Sequence, residues 1–214
     1  MRRNDILISV IVAEIDAWLA LGIFESIGFD LRDFLKSFRA ESFFPILKWI
    51  FNYLPITLPL LGVLFILFFS LFKKKAKWFF QFGKYVLIGS LNALVDLSIL
   101  NFLMSVFVIT SGWYFSLFKG ISFSIAVTNS YFWNKFWTFK HRERKVGVRE
   151  YSYFFSLTLV GALVNVGLAS FLVNAVGPQF GLPPKIWANL SAFIPILIAG
   201  FWNFSSYKFI VFKK

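Results

Sequence analysis

Residues 85–108 read YVLIGSLNALVDLSILNFLMSVFV, a run with no lysine, arginine or proline and a single carboxylate, Asp96. At about 1.5 Å of rise per residue, a helix of this length crosses the roughly 30 Å hydrocarbon core of a bilayer. If it enters the hydrocarbon near Lys84, Asp96 lies about 18 Å further on, close to the midplane. A carboxylate at that depth is costly and calls for a functional explanation. Gly89, Asn92 and Asp96 stand at i, i+3 and i+7 with Ala93 beside them, so one helix face is small and polar and belongs toward other helices. Packing alone accounts for such a stripe of glycine and asparagine, whereas the charge of Asp96 needs more than packing to offset it.

The rest of the chain agrees with a membrane setting. Hydrophobic residues make up 58% of the 214, aromatics 21% and charged residues 15%, against about a quarter charged in a soluble domain. The net charge of +12 sits in short runs between apolar segments, where orientation signals are expected, so nucleic-acid binding is not indicated. There is no cysteine, and His141 is the one histidine, in a basic loop without neighbouring ligand types. Thiolate metal sites, disulfides and a bound cofactor are therefore not expected. With no cluster of acids beside a base and no glycine-rich phosphate loop, the sequence does not support an enzyme or a nucleotide-driven pump.

Working outward, the sequence predicts six spans. Ile6–Phe29 is interrupted by Glu14, Asp16 and Glu25, and has no cleavage site of a signal peptide. Phe43–Phe72 contains Pro55 and Pro59, which mark a kink or a late start. The basic run at 73–77 separates this hairpin, residues 1–78, from the main unit, residues 79–214. Tyr85–Val108, Trp113–Thr138, Ser152–Val176 and Ile186–Phe209 complete the six. With the N-terminus inside, sixteen of the 22 Lys and Arg fall on its side, and Arg32, Lys36, Arg39, Lys48, Lys119 and Lys185 fall on the other. That bias predicts a multi-pass plasma-membrane protein with both termini cytoplasmic.

A shift of 69 residues lays Ala93–Leu103 over Ala162–Leu172 with five of eleven positions identical, and Phe132-Trp133-Asn134 over Phe201-Trp202-Asn203. One register across both helices of each half indicates duplication, with halves at about 82–140 and 151–210. Each half has two spans, so the repeat is parallel and a site at its seam is expected. Asn165 stands where the first half has Asp96. The predicted fold class is thus an all-α, polytopic helical bundle, with an internal duplication in the last four spans.

Lys84-Tyr85-x-x-x-Gly89-x-x-Asn92-x-x-x-Asp96, followed by Asn134-Lys135-Phe136-Trp137-Thr138-Phe139 and its echo at Asn203–Phe209, resembles the GtrA-like family over about 79–214. That resemblance implies handling of polyprenyl-phosphate-linked monosaccharides: flipping them between leaflets for cell-surface polysaccharide or glycan synthesis. The alternative within the family is a membrane scaffold that recruits a glycosyltransferase and moves nothing. The hairpin before residue 79 lies outside the resemblance and leaves partner choice open.

On the flipping reading, Lys84, Lys135, Lys140, Arg142 and Lys208 dock the lipid phosphate by charge-assisted hydrogen bonds, although topology alone also explains these cations. Asn92, Asp96, Asn129, Asn134, Asn165 and Asn203 form a polar path that exchanges hydrogen bonds with sugar hydroxyls. Trp133 and Trp202 are interface anchors or stacking faces. A small proton-coupled exporter using Asp96 is a third reading. Four spans enclose little volume, so a homodimer is an open expectation.

Overall fold

The computed structural model describes residues 3–37, 41–139 and 148–206, with side chains except at 34, 37, 41, 148–155, 158 and 197–206. All regular structure among these residues is helical. The long helices are α1 (Arg3–Ser26), α4 (Leu54–Leu71), α5 (Lys77–Phe107), α6 (Gly112–Trp133), α7 (Val148–Phe171) and α8 (Pro184–Ser206), with the short α2 (Leu31–Ser37) and α3 (Phe44–Asn52) between α1 and α4. Four segments are long and apolar enough to cross a membrane: α1, α4, α5 and Leu159–Val176. The 22-residue α6 has crossing length, but its serines, Asn129 and Lys119 make it more polar. The chain is therefore a helical membrane protein, in which length and composition mark four crossings among the described residues.

The acids that interrupt α1 are explained by its buried face. Asp5, Ser9, Val12, Ala13, Asp16 and Ala17 are buried at helical spacing, so two carboxylates face protein. Glu14 stays off that stripe and accepts a hydrogen bond from Trp18 Nε1 at 2.8 Å. Ala13 and Ser9 meet α4 at Gly62, where an added Cβ would lie 2.9 Å from the Ala13 Cβ. Only glycine permits that approach.

The single span expected over Phe43–Phe72 is broken. α3 ends at Asn52 and α4 starts at Leu54, with Pro55 in its first turn. Proline has no N–H to donate and its ring opposes the preceding turn, so a helix restarts there more readily than it continues. Pro59 is carried inside α4.

α5 is the hub. Its 31 residues span about 46 Å at 1.5 Å per residue, which exceeds the bilayer core. It packs against α1, α4, α6 and α8, while α7 pairs with α8 and α6. One apolar cluster joins Val12, Ile66, Phe69, Phe80, Ile88, Leu91 and Trp137 around the first half of α5. Another joins Leu97, Leu100, Met104, Phe115, Ala169, Trp187 and Ala188 around its second half.

α6 ends in a π-helical turn, Asn134–Thr138, and α7 in another, Leu172–Val176. The Phe139 N–H donates to Asn134 O at 2.9 Å, the five-residue spacing of the wider helix. Such turns concentrate at functional sites, and this one falls on the Asn-Lys-Phe-Trp-Thr ending.

Candidate functional site

Five polar residues along α5, Lys84, Ser90, Asn92, Asp96 and Asn101, each meet a partner on a neighbouring helix. Asp96 is 2% exposed and is buried against α6, where Lys119 Nζ donates to its Oδ2 and Ser122 Oγ to its Oδ1. Lys119 is 0% exposed. The charge count assigned Lys119 to the outer side; it is the eighth residue of α6, carried into the bundle and held by the Asp96 carboxylate. A buried charge of either sign is tolerated only when compensated in this way. Five basic residues then remain on that side of the count.

One and two turns nearer the N-terminus of α5, Asn92 Oδ1 accepts from Asn129 Nδ2 at 2.7 Å, and Asn129 Oδ1 accepts from Trp133 Nε1 at 3.1 Å. Trp133 is half-buried, so its indole N–H extends this chain of hydrogen bonds. Asn134 is buried and donates to Ser130 O and Oγ at 3.0 and 3.1 Å, while its Oδ1 has no partner. Further along α5, Asn101 and Asn189 of α8 exchange both amide bonds, at 2.5 and 2.9 Å. That pair, like Lys119 and Ser122, was not among the expected residues.

The second half of the repeat is a neutral version of the first. In the 69-residue register, Asp96 and Lys119 become Asn165 and Ala188, and Asn92 and Asn129 become Gly161 and Ile198. Both members of each pair are replaced together. Ser122 keeps its counterpart, Ser191, and both Ser191 Oγ and Asn165 Oδ1 are buried without a hydrogen-bond partner.

Two of the expected phosphate-docking cations are not at the surface. Lys84 is 1% exposed and is ion-paired with Asp5 of α1. Lys135 is 2% exposed; it donates to Tyr131 Oη at 3.0 Å and lies 5.4 Å from the centre of that ring. Both ammonium groups lie beside aromatic rings, Lys84 by Phe80 and Trp137 and Lys135 by Tyr131, and such rings favour a cation taken out of water. Lys140, Arg142 and Lys208 lie outside the described residues, as does the side chain of Asn203.

Asp16 marks a third polar point. Its Oδ2 accepts from Ser90 Oγ at 2.6 Å, and its Oδ1 has no partner. Both residues line a cavity of about 720 Å³ between α1, α4 and α5, whose other walls are apolar, including Leu61, Leu64 and Phe68. Among the described residues, no group of three His, Cys, Asp or Glu is placed to hold a metal ion.

Every one of these pairs between helices has a member on α5, with the motif Lys84–Asp96 on that helix and Asn134–Phe139 at the end of the next. The family model described as the GtrA/DPMS transmembrane domain matches residues 84–212, more than half of the chain. The chain belongs to the GtrA/DPMS transmembrane-domain family. No curated protein and no solved structure matches it. GtrA/DPMS membership ties the protein to membrane glycosylation and confirms the resemblance carried by the two motifs. The GtrA/DPMS match starts at Lys84, so α1 to α4 and the first turns of α5 precede it.

Proposed function

We propose that the protein translocates a polyprenyl-phosphate-linked monosaccharide across the membrane, as a non-catalytic carrier serving cell-surface glycan synthesis. The observation that supports this reading most is the ladder on α5 and α6: the Asn92–Asn129 amide bond and the buried Asp96–Lys119–Ser122 cluster one turn away. These groups offer donors and acceptors at the depth where a sugar head most needs replacements for water. They belong to the family-matched half-repeat with charge, and the second half supplies a neutral counterpart. A sugar hydroxyl both donates and accepts, so it inserts into an amide pair without leaving either amide unbonded.

Asn92 and Asn129 are the residues to test. Replacing both by leucine removes the pair without orphaning either amide, and the one group that loses its acceptor is the indole N–H of the half-buried Trp133, a cost of about 1 kcal/mol. The reading expects Asn92→Leu/Asn129→Leu protein to reach the membrane in normal amount and to translocate a sugar lipid at least tenfold more slowly. Undiminished transport by that variant removes the ladder from the path.

A scaffold that recruits a glycosyltransferase draws on a different observation: both oxygens of Asp96 are already bonded within the protein, as expected of groups that fasten helices. On that reading, neutralising the basic residues of 140–149 releases a co-purifying glycosyltransferase, and the buried asparagines are dispensable.

A further inference from the structure

We propose that Lys84 and the indole N–H of Trp137 form a binding site for a lipid-borne phosphate, and that Asp5 fills this site as a tethered anion. The identity of the ligand rests on the translocation reading; the geometry of the site does not. Asp5 Oδ1 accepts from Lys84 Nζ on α5 and, at 3.2 Å, from Trp137 Nε1 on the π-helical turn. Two donors from separate elements therefore converge on one anionic oxygen. The Lys84 ammonium lies 4.8 Å from the Phe80 ring centre and 4.9 Å from that of Trp137. Ring faces hold a cation without cancelling its charge, so this pocket retains a demand for an anion.

The two sides of the contact come from different parts of the chain. Lys84 and Trp137 lie inside the family-matched region 84–212, and Asp5 lies outside it, in the preceding hairpin. The family-matched domain thus carries the cation and the second donor, and the hairpin carries the carboxylate. Depth suits a headgroup phosphate. Lys84 precedes Asp96 by about 18 Å along α5 at 1.5 Å per residue, and Asp5 is in the first turn of α1.

Charge also matches. A carboxylate bears one negative charge, as does the phosphodiester of a polyprenyl phosphoryl sugar, so exchanging one for the other leaves the buried site balanced. The phosphate oxygens take the same two charge-assisted or neutral donor bonds that Asp5 now takes. Asp5, attached to the first turn of α1, then moves aside with the helix end. Because Asp5 is tethered, it competes at a high effective concentration, and the native chain binds phosphate more weakly than its own donors allow.

The test uses the full chain in nanodiscs of zwitterionic lipid at about pH 5, where a phosphate monoester bears one charge as the diester does, titrated with farnesyl phosphate, farnesol and inorganic phosphate. Binding is followed by the indole 15N–1H resonance of Trp137, assigned with Trp137→Phe. Asp5→Asn is expected to bind farnesyl phosphate at least tenfold more tightly than the unaltered protein, with movement of that resonance. Farnesol and inorganic phosphate are expected to leave it in place, and Asp5→Asn/Lys84→Met to abolish the response. Equal response to inorganic phosphate overturns the lipid assignment, and a folded Asp5→Asn without any gain reduces the contact to a helix tie. If Asp5→Asn does not fold, the unaltered protein decides: saturable movement lost in Asp5→Asn/Lys84→Met supports the site, and no movement overturns it. Equilibrium binding here is independent of transport, so a bound phosphate without translocation refutes the carrier reading while the site stands.

Discussion

Removing the positive member of the Asp96–Lys119 pair probes the interior most sharply. Both residues are almost fully buried, and Ser122 is the other donor to the carboxylate. Lys119→Met keeps most of the side-chain volume but leaves the carboxylate with one neutral hydroxyl. Breaking a buried pair from one side costs about 3–5 kcal/mol. Asp96→Asn strands the ammonium and is expected to cost a similar amount. The second half of the repeat shows a neutral solution at the same register, Asn165 with Ala188. Asp96→Asn/Lys119→Ala is therefore expected to fall well short of the sum of the singles, losing roughly 2 kcal/mol, mainly for the cavity left by the lysine stem. The assay is reversible unfolding in mixed micelles, with each variant refolded to check reversibility. Single variants within about 1 kcal/mol of the unaltered protein, or a double variant that is simply additive, refute the reasoning.

Three further outcomes follow from particular contacts. Gly83→Ala places a Cβ 2.4 Å from Phe69 Cγ, a clash that is expected to cost about 1–3 kcal/mol and to add nothing in a Phe69→Ala background, which lacks that atom, measured by thermal unfolding in detergent. Asn101→Leu, which takes the donor from Asn189 Oδ1 while Asn189 Nδ2 keeps its bond to Lys185 O, is expected to lose about 1 kcal/mol, most of it recovered in Asn101→Leu/Asn189→Leu by the same assay. Lys185→Met removes the bonds from α8 to Ser26 O on α1 and to Ser105 Oγ on α5; faster proteolysis in the 27–53 segment is the expected result, followed by mass spectrometry of the fragments.

The membrane class and the helix order were legible because they depend on the lengths of apolar runs, which are local. The helix that carries Asp96 was legible for the same reason. The partner of Asp96 was not, because Lys119 stands close enough to the start of its span at Trp113 to be counted with the outer-side cations. A signal was present, however. Asp96 and Ser122 are nearly equidistant from the turn around 109–111, as are Asn92 and Asn129, so two antiparallel helices bring each pair to one level. Lys119, one turn from Ser122, shares its face.

Other contacts had no such signal. Asp5 meets Lys84 and Trp137 across 79 and 132 residues, and Asn101 meets Asn189 across 88. No periodicity encodes these meetings, since they arise only when α1 and α8 pack on α5. The burial of Lys84 and Lys135 was hidden likewise, because a lysine at a span end reads as an orientation signal whichever way its face turns.

Leaflet-resolved translocation in proteoliposomes containing only the purified protein tests the central claim most directly. A labelled polyprenyl-phosphate monosaccharide is supplied in one leaflet and its protection from a membrane-impermeant oxidant is followed. The account predicts time-dependent protection that exceeds protein-free vesicles and falls at least tenfold in Asn92→Leu/Asn129→Leu. Protection no faster than in empty vesicles, with every candidate sugar, contradicts it.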